Sequence, residues 1–100
     1  MLNIDLVKQD REGELILVGE LDVNTAPGAE AILLDAVKRF DTVILNMERL
    51  TYVSSAGLRV LKLASIQMRR KGGTLLLKKV TKPVMEVLEL TGLAVIFKYV

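Results

Sequence analysis

The chain of 100 residues is long enough for one domain and too short for two of ordinary size. Its 51% hydrophobic content excludes a disordered chain, and the absence of cysteine and histidine excludes disulfides, thiolate metal sites and a Ser-His-Asp hydrolase. The net charge is only +2, and no aromatic residues interleave with the basic ones, so we expect no direct binding of nucleic acid.

The first half of the chain predicts a hairpin, a helix and a strand. Leu2, Ile4 and Leu6 alternate with polar residues, and the polar turn QDREGE leads into the run ELILVGEL. We interpret ELILVGEL and the later run DTVILNM as strands that are covered on both faces. Between them, DVNTAPGAEAILLDAVKRF has helical spacing, with Asn24 or Thr25 as its cap. The buried row of this helix is predicted to be Ala31, Leu34, Ala36, Val37 and Phe40.

The second half predicts two further helices, each followed by a strand. The segment SSAGLRVLKLASIQMRRKGG is typical of a helix that ends at a glycine pair. Its buried row is predicted to be Leu58, Leu61, Ser65 and Met68. TLLLKKV predicts a strand, TKPVMEVLELTG a helix capped by Thr81, and LAVIFKYV a final strand. The order β-β-α-β-α-β-α-β predicts an α/β fold, with an antiparallel first strand on an otherwise parallel sheet and helices packed against it.

Two adjacent serines, Ser54 and Ser55, stand where the third strand meets the second helix. In an open α/β sheet, functional groups gather where strand C-termini meet helix N-termini. The free N–H groups and the positive dipole end of a helix favour a phosphate, so a hydroxyl there is suited to carry a phosphoryl group. Serine is also among the best helix N-caps. The spacing alone leaves both roles open.

A second polar segment, VGELDVNTAP, follows the second strand. If that strand runs parallel to the third, Glu20, Asp22, Asn24 and Thr25 leave the same edge of the sheet as the serines. Their carboxylates could then hydrogen-bond a hydroxyl or repel a phosphate. The same residues are also typical of a plain turn between a strand and a helix.

Four segments together carry a family resemblance. GELDVNTAP, VILNMERLTYVSSAGLRVL, GGTLLLKKV and KPVMEVLELTGL, in this order, resemble the anti-sigma factor antagonists of bacteria, which are free-standing STAS domain proteins. The resemblance covers nearly the whole chain and implies a mixed sheet with packed helices. Such proteins usually carry a further C-terminal helix. This sequence ends at Val100, directly after the last predicted strand, so we expect that helix to be missing.

The resemblance also implies a mechanism. Members bind an anti-sigma factor that is itself a serine kinase, and the sigma factor is released. The kinase then phosphorylates one serine of the antagonist and the complex dissociates, until a metal-dependent serine phosphatase restores it. The matching acceptor is Ser55, which precedes Ala56 and Gly57, and Ser54 stands where many members have Asp. We therefore assign helix capping to Ser54 and phosphate acceptance to Ser55, with Asp22 as the acid of the family's GELD loop.

The predicted partner-binding residues are Glu20, Asp22, Asn24, Thr25, Ser54, Ser55, Ala56, Gly57, Leu58 and Arg59. We expect a regulatory protein of residues 1–100 as a single domain, not an enzyme, with no metal and no cofactor. The start of the chain lacks a signal peptide pattern and no run approaches the roughly 18 apolar residues of a membrane span, so we expect a cytoplasmic protein. The sequence does not fix the oligomeric state, for which we expect a monomer. Two alternatives remain: a STAS scaffold or sensor module in another signalling or lipid-transport complex, and a small hydrolase or transferase using Ser55.

Overall fold

The computed structural model describes all 100 residues, which form five strands and three α-helices. In chain order these are β1 (Leu2–Gln9), β2 (Glu12–Leu21), α1 (Ala26–Arg39), β3 (Thr42–Val53), α2 (Ser55–Arg70), β4 (Thr74–Lys78), α3 (Lys82–Leu90) and β5 (Lys98–Tyr99). A single 3-10 turn, Ala94–Ile96, lies between α3 and β5.

The five strands form one sheet in the order β1-β2-β3-β4-β5. β1 is antiparallel to β2, and every later pair of neighbours is parallel. The predicted mixed sheet with an antiparallel first strand is therefore confirmed. Each helix joins two adjacent parallel strands and the chain always advances in the same direction, so right-handed crossovers place the helices on one face of the sheet.

Residues of β2 and β3 alternate between buried and half-exposed positions. Leu15, Leu17 and Leu45 are fully buried on the face that the helices cover, whereas Ile16 and Ile44 on the other face are only partly shielded. The prediction that these strands are covered on both faces is wrong. Helices pack against one face only, so the apolar residues on the other face are shielded mainly by their neighbours within the sheet.

A polar row crosses the open face of the sheet. Asn46 on β3 donates from Nδ2 to Glu14 Oε2 on β2 at 3.0 Å, and Lys78 on β4 donates from Nζ to Glu14 Oε1 at 3.3 Å. The hydrogen bond from Asn46, followed by the contact with Lys78, lowers the pKa of Glu14 below its ordinary value of 4.5. Glu14 is therefore held as a carboxylate at neutral pH.

The apolar spacing of the sequence predicted the buried row of α2 correctly and that of α1 only in part. All four residues of the row predicted for α2 are buried. In α1, Ala31 is exposed and Leu34 is half-exposed, so that part of the predicted row is wrong, although its last three members are buried. The buried face of α1 starts at Ala26 and Ala29, and at this spacing Leu33, not Leu34, lies on that face. None of the helices combines the length and the apolar character needed to cross a membrane.

Lys71 joins the ends of α1 and α2. Its Nζ donates to the backbone carbonyls of Val37 at 2.6 Å and Phe40 at 2.8 Å. These carbonyls lie at the C-terminus of α1, where the last turn of a helix lacks internal donors and a cation is favoured. The Lys71 side chain thus caps the C-terminus of α1, although Lys71 itself lies at the end of α2.

The end of the chain differs from the prediction. The segment LAVIFKYV was expected to be one strand, but only Lys98 and Tyr99 pair with β4. Gly92 adopts φ +76° after α3, and the Leu93 amide bonds back to the Leu88 carbonyl at 2.9 Å, which turns the chain into the 3-10 segment. The apolar side chains of this segment therefore pack as a turn beside α3 and not as a strand.

Candidate functional site

The two serines at the junction of β3 and α2 have different roles. Ser54 is the N-cap of α2, with extended backbone, and its Oγ accepts a hydrogen bond from the Gly57 amide at 3.2 Å. The capping role predicted for Ser54 is therefore confirmed. Ser55 is the first helical residue, it is exposed, and its hydroxyl makes no hydrogen bond to the protein. The fold uses one hydroxyl and leaves the other free.

The end of β2 and the start of α2 are in direct contact. Leu21 pairs with Val53 across the sheet, and the Ser54 amide donates to the Leu21 carbonyl at 2.9 Å. A Cβ at Gly57 would lie only 2.6 Å from that carbonyl oxygen, so α2 approaches the strand at a distance that only glycine permits. The loop after β2 and the two serines therefore leave the same edge of the sheet, as predicted.

The loop after β2 satisfies its own polar groups. Asp22 Oδ1 accepts hydrogen bonds from the amides of Asn24 at 2.9 Å and Thr25 at 3.0 Å. Thr25 Oγ1 donates to the Glu20 carbonyl at 2.8 Å and accepts from the Asp22 amide at 2.9 Å, so Thr25 stands at the N-cap of α1 without a side-chain capping bond. The Thr25 amide is the largest cause of the lowered pKa of Asp22. The Asp22 carboxylate is thus an ionised group that shapes the loop.

Glu20 contacts the start of the chain instead of the serines. The Met1 amino group donates to Glu20 Oε1 at 3.0 Å, and this bond raises the pKa of the amino group. Met1 precedes β1, which lies on the side of β2 away from β3. No hydrogen bond or ion pair joins Glu20 to Ser54 or Ser55.

A shallow groove lies beside Ser55. It has a volume of about 270 Å³ and runs between the loop after β2, the first turns of α1 and the first turns of α2. Val23, Pro27 and Glu30 line one side, and Ala56 and Arg59 line the other. Val23 is 69% exposed, although it is apolar. We name these five residues the junction groove.

Sequence reasoning found only one side of the junction groove. Ala56 and Arg59 were predicted to bind a partner, whereas Val23, Pro27 and Glu30 were missed. The available signal was Val23, an apolar residue within the polar loop DVNT. Leu58, in contrast, is only 7% exposed and packs in the core, so it offers little surface to a partner.

This edge of the sheet offers a free hydroxyl, a cation, a carboxylate and a small groove of mixed polar and apolar lining. The Arg59 guanidinium and the Glu30 carboxylate make no ion pair within the chain. No cluster of three or more acidic, histidine or cysteine side chains could hold a metal ion. Such a surface suits contact with another macromolecule and modification of Ser55.

Comparison with known proteins identifies the family, since the STAS domain model matches residues 3–99. The chain belongs to the STAS domain family. BtrV of Bordetella bronchiseptica, which carries the name of an anti-sigma factor antagonist, is 39% identical over 89 residues, covering 86% of this chain and 77% of BtrV. The anti-sigma-B factor antagonist of Bacillus subtilis is 23% identical, covering 92% of this chain and 84% of the relative. The resemblance inferred from the four sequence segments is therefore confirmed.

Solved structures share the STAS fold. A Thermotoga maritima protein named as an anti-sigma factor antagonist has a TM-score of 0.88 at 22% identity, covering 96% of this chain and 84% of its own. The Bacillus protein SpoIIAA in its phosphorylated form has a TM-score of 0.75 at 20% identity, covering all of this chain and 91% of its own. At these identities the likeness establishes the fold, and the role of individual residues rests on their own geometry.

Proposed function

We propose that this STAS protein is an anti-sigma factor antagonist. It binds an anti-sigma factor serine kinase through Ser55 and the junction groove, and binding releases a sigma factor. Phosphorylation of Ser55 then ends the interaction, and a serine phosphatase acting on the phosphorylated form restores it. The protein acts in the cytoplasm as a monomer. The names of its relatives support the general role, and the geometry around Ser55 supports the site.

The proposal rests on the different roles of Ser54 and Ser55 in the structure. The Ser54 hydroxyl oxygen accepts the capping hydrogen bond of α2, while the adjacent Ser55 hydroxyl is exposed and has no partner. A modifying enzyme therefore reaches Ser55 without breaking a hydrogen bond of the fold. Modification of Ser54 would remove a cap of the kind that stabilises a protein by about 1 kcal/mol.

The proposed reaction transfers one phosphoryl group from ATP to Ser55. The Ser55 hydroxyl oxygen attacks the γ-phosphorus of ATP, the bond from that phosphorus to the ADP oxygen breaks, and the hydroxyl proton passes to a base of the kinase. The products are ADP and phosphoserine. The phosphate then lies at the N-terminus of α2, where the amides of Ser55 and Ala56 have no acceptor within the protein. These donors and the helix dipole stabilise the added charge in the free protein.

The docked state is different, because a partner that covers the junction groove excludes water from the phosphate. Phosphate brings a charge of about −1.5 to −2. The unpaired Glu30 carboxylate lines the same groove as Ala56, which follows Ser55 directly. The Arg59 guanidinium lines this groove as well, so the two side-chain charges offset each other and the lost hydration of the phosphate is what weakens the complex. A penalty of about 2.7 kcal/mol lowers the affinity a hundredfold.

The test uses candidate anti-sigma factor kinases, ATP and three forms of the protein: wild type, Ser55→Ala and Ser54→Ala. Phosphate is located by mass spectrometry, and affinity for each kinase is measured by calorimetry without ATP. We expect wild type and Ser54→Ala to carry phosphate on Ser55, and Ser55→Ala to bind the kinase without being modified.

Two results would contradict the proposal. Phosphate on Ser54 with none on Ser55 would reject the acceptor assignment. Failure of the unmodified protein to bind any such kinase would reject the antagonist function and leave a STAS scaffold as the better interpretation.

A further inference from the structure

A small cavity lies at the far end of α2 from Ser55. Its volume is about 50 Å³, and its walls come from the second half of α2, the start of β4 and the segment that enters β5. Met68 and Leu75 form part of an apolar wall, and four polar residues complete the lining: Ser65, Arg69, Thr74 and Lys98. None of these residues belongs to the junction groove, so the cavity is a separate feature of the molecule.

Ser65 is the only buried polar residue of the chain, with 8% of its surface exposed. No group of the protein hydrogen-bonds its hydroxyl, and no fully enclosed side-chain polar atom of the chain lacks a partner, so the hydroxyl opens to the cavity that it lines. A hydroxyl that opens to a cavity can hydrogen-bond water or another polar molecule that enters it. The hydroxyl is therefore available to whatever fills the cavity.

The charge of the lining favours an anion. Arg69 and Lys98 contribute two positive charges, and no carboxylate lines the cavity. The Arg69 guanidinium lies at the rim, where its Nη2 donates to the Ile96 carbonyl at 3.3 Å. Its other N–H groups remain available, and their planar fork matches two oxygens of a tetrahedral oxyanion.

The size of the cavity limits its occupant. One water needs about 10–15 Å³ of such volume. A volume of about 50 Å³ therefore corresponds to roughly three to five waters, which is close to the five heavy atoms of phosphate or sulfate. A nucleoside or a sugar would have to remain outside, with only a phosphoryl group inserted.

We propose that this cavity is a binding site for a tetrahedral oxyanion of the phosphate class. The Ser65 hydroxyl and the free N–H groups of Arg69 donate to its oxygens, and Lys98 adds positive charge at the rim. The proposal does not depend on phosphorylation of Ser55, since the cavity and Ser55 lie at different ends of α2.

The test is a titration of the ¹⁵N-labelled protein with inorganic phosphate at constant ionic strength, followed through the amide resonances of residues 65–75. We expect saturating shifts around Ser65, Gly73 and Thr74. Ser65→Ala should weaken binding about fivefold and Arg69→Gln about tenfold, as expected for the loss of a neutral and of a charged hydrogen-bond donor. Arg70→Gln is the matched control, because Arg70 is the exposed neighbour with the same charge and does not line the cavity.

A parallel titration with phenyl phosphate separates two sources of the same chemistry. Binding of phosphate alone would assign the cavity to the free ion, and binding of both would assign it to the phosphoryl group of a larger molecule. Shifts that rise without saturation, or that Arg70→Gln reduces as much as Arg69→Gln does, would overturn the proposal. Thermal melts of the variants confirm that each is folded, and Arg69→Gln changes an exposed residue that the core does not require.

Discussion

Replacing Gly57 by alanine tests the contact that joins β2 to α2. The new Cβ would lie 2.6 Å from the Leu21 carbonyl oxygen and 2.7 Å from Leu21 Cγ, well inside van der Waals contact. The carbonyl cannot easily move, because it also accepts the Ser54 amide at 2.9 Å. Either the helix start shifts away from the strand or this hydrogen bond lengthens.

Two opposite effects decide the sign of the stability change. Alanine is favoured over glycine in a helix by about 0.8–1.0 kcal/mol. Forcing a methyl group into a packed site typically costs about 1–3 kcal/mol. Since the contact is with fixed backbone, we expect a steric cost in the upper part of this range, and a net loss of up to about 2 kcal/mol for Gly57→Ala. For a domain of about 100 residues, each kcal/mol lowers Tm by roughly 4–8 °C.

Gly28→Ala is the matched control for this change. Gly28 also lies in the first turn of a helix, α1, but no other atom lies within 4 Å of the position that its Cβ would take. At Gly28 only the higher helix propensity of alanine is expected to matter, so the Tm of Gly28→Ala should stay the same or rise. Both variants are measured by thermal and urea unfolding followed by circular dichroism. A Gly57→Ala protein as stable as Gly28→Ala would refute the close approach of α2 to the end of β2.

Three further changes test other parts of the fold. Ser54→Ala should lower the free energy of unfolding by about 1 kcal/mol through loss of the cap, whereas Ser55→Ala should leave the melt nearly unchanged. Lys71→Met removes the charged donor from the end of α1 and should cost about 1.5 kcal/mol, against little change for the exposed Lys62→Met. Glu14→Gln should lower the urea midpoint at pH 7. Because the folded-state pKa of Glu14 is depressed, the stabilisation exists above its ordinary pKa of 4.5 and disappears as pH falls through the folded value, so wild type and variant should converge at low pH.

The features predicted best from the sequence are those that a local pattern of residues indicates. The element order, the antiparallel first strand and the buried row of α2 follow from apolar periodicity and turn residues. The role of Ser54 follows from its place before an apolar helix. These signals need no knowledge of distant contacts.

The features that sequence missed depend on how elements pack. The apolar run of β2 gave no sign that one face stays open, because Ile16, which is half-shielded, is as apolar as Leu15 and Leu17, which are buried. The phase of α1 was wrong by one residue, since Leu33 and Leu34 are adjacent and only packing selects between them. The junction groove combines residues far apart in the chain; Val23 is an unusual apolar residue in the sequence, but only the fold shows that α2 lies beside it.

The arrangement at the junction gives a physical reason why Ser55, and not Ser54, would carry a switch. A phosphate on Ser54 would be attached to the oxygen that accepts the Gly57 amide and caps α2. Modification of Ser54 would therefore act on a hydrogen bond that stabilises the domain. A phosphate on Ser55 breaks no hydrogen bond of the domain, because the Ser55 hydroxyl is exposed and has no partner. Under the proposed function its effect then lies at the partner interface, where about 2.7 kcal/mol corresponds to a hundredfold change in affinity.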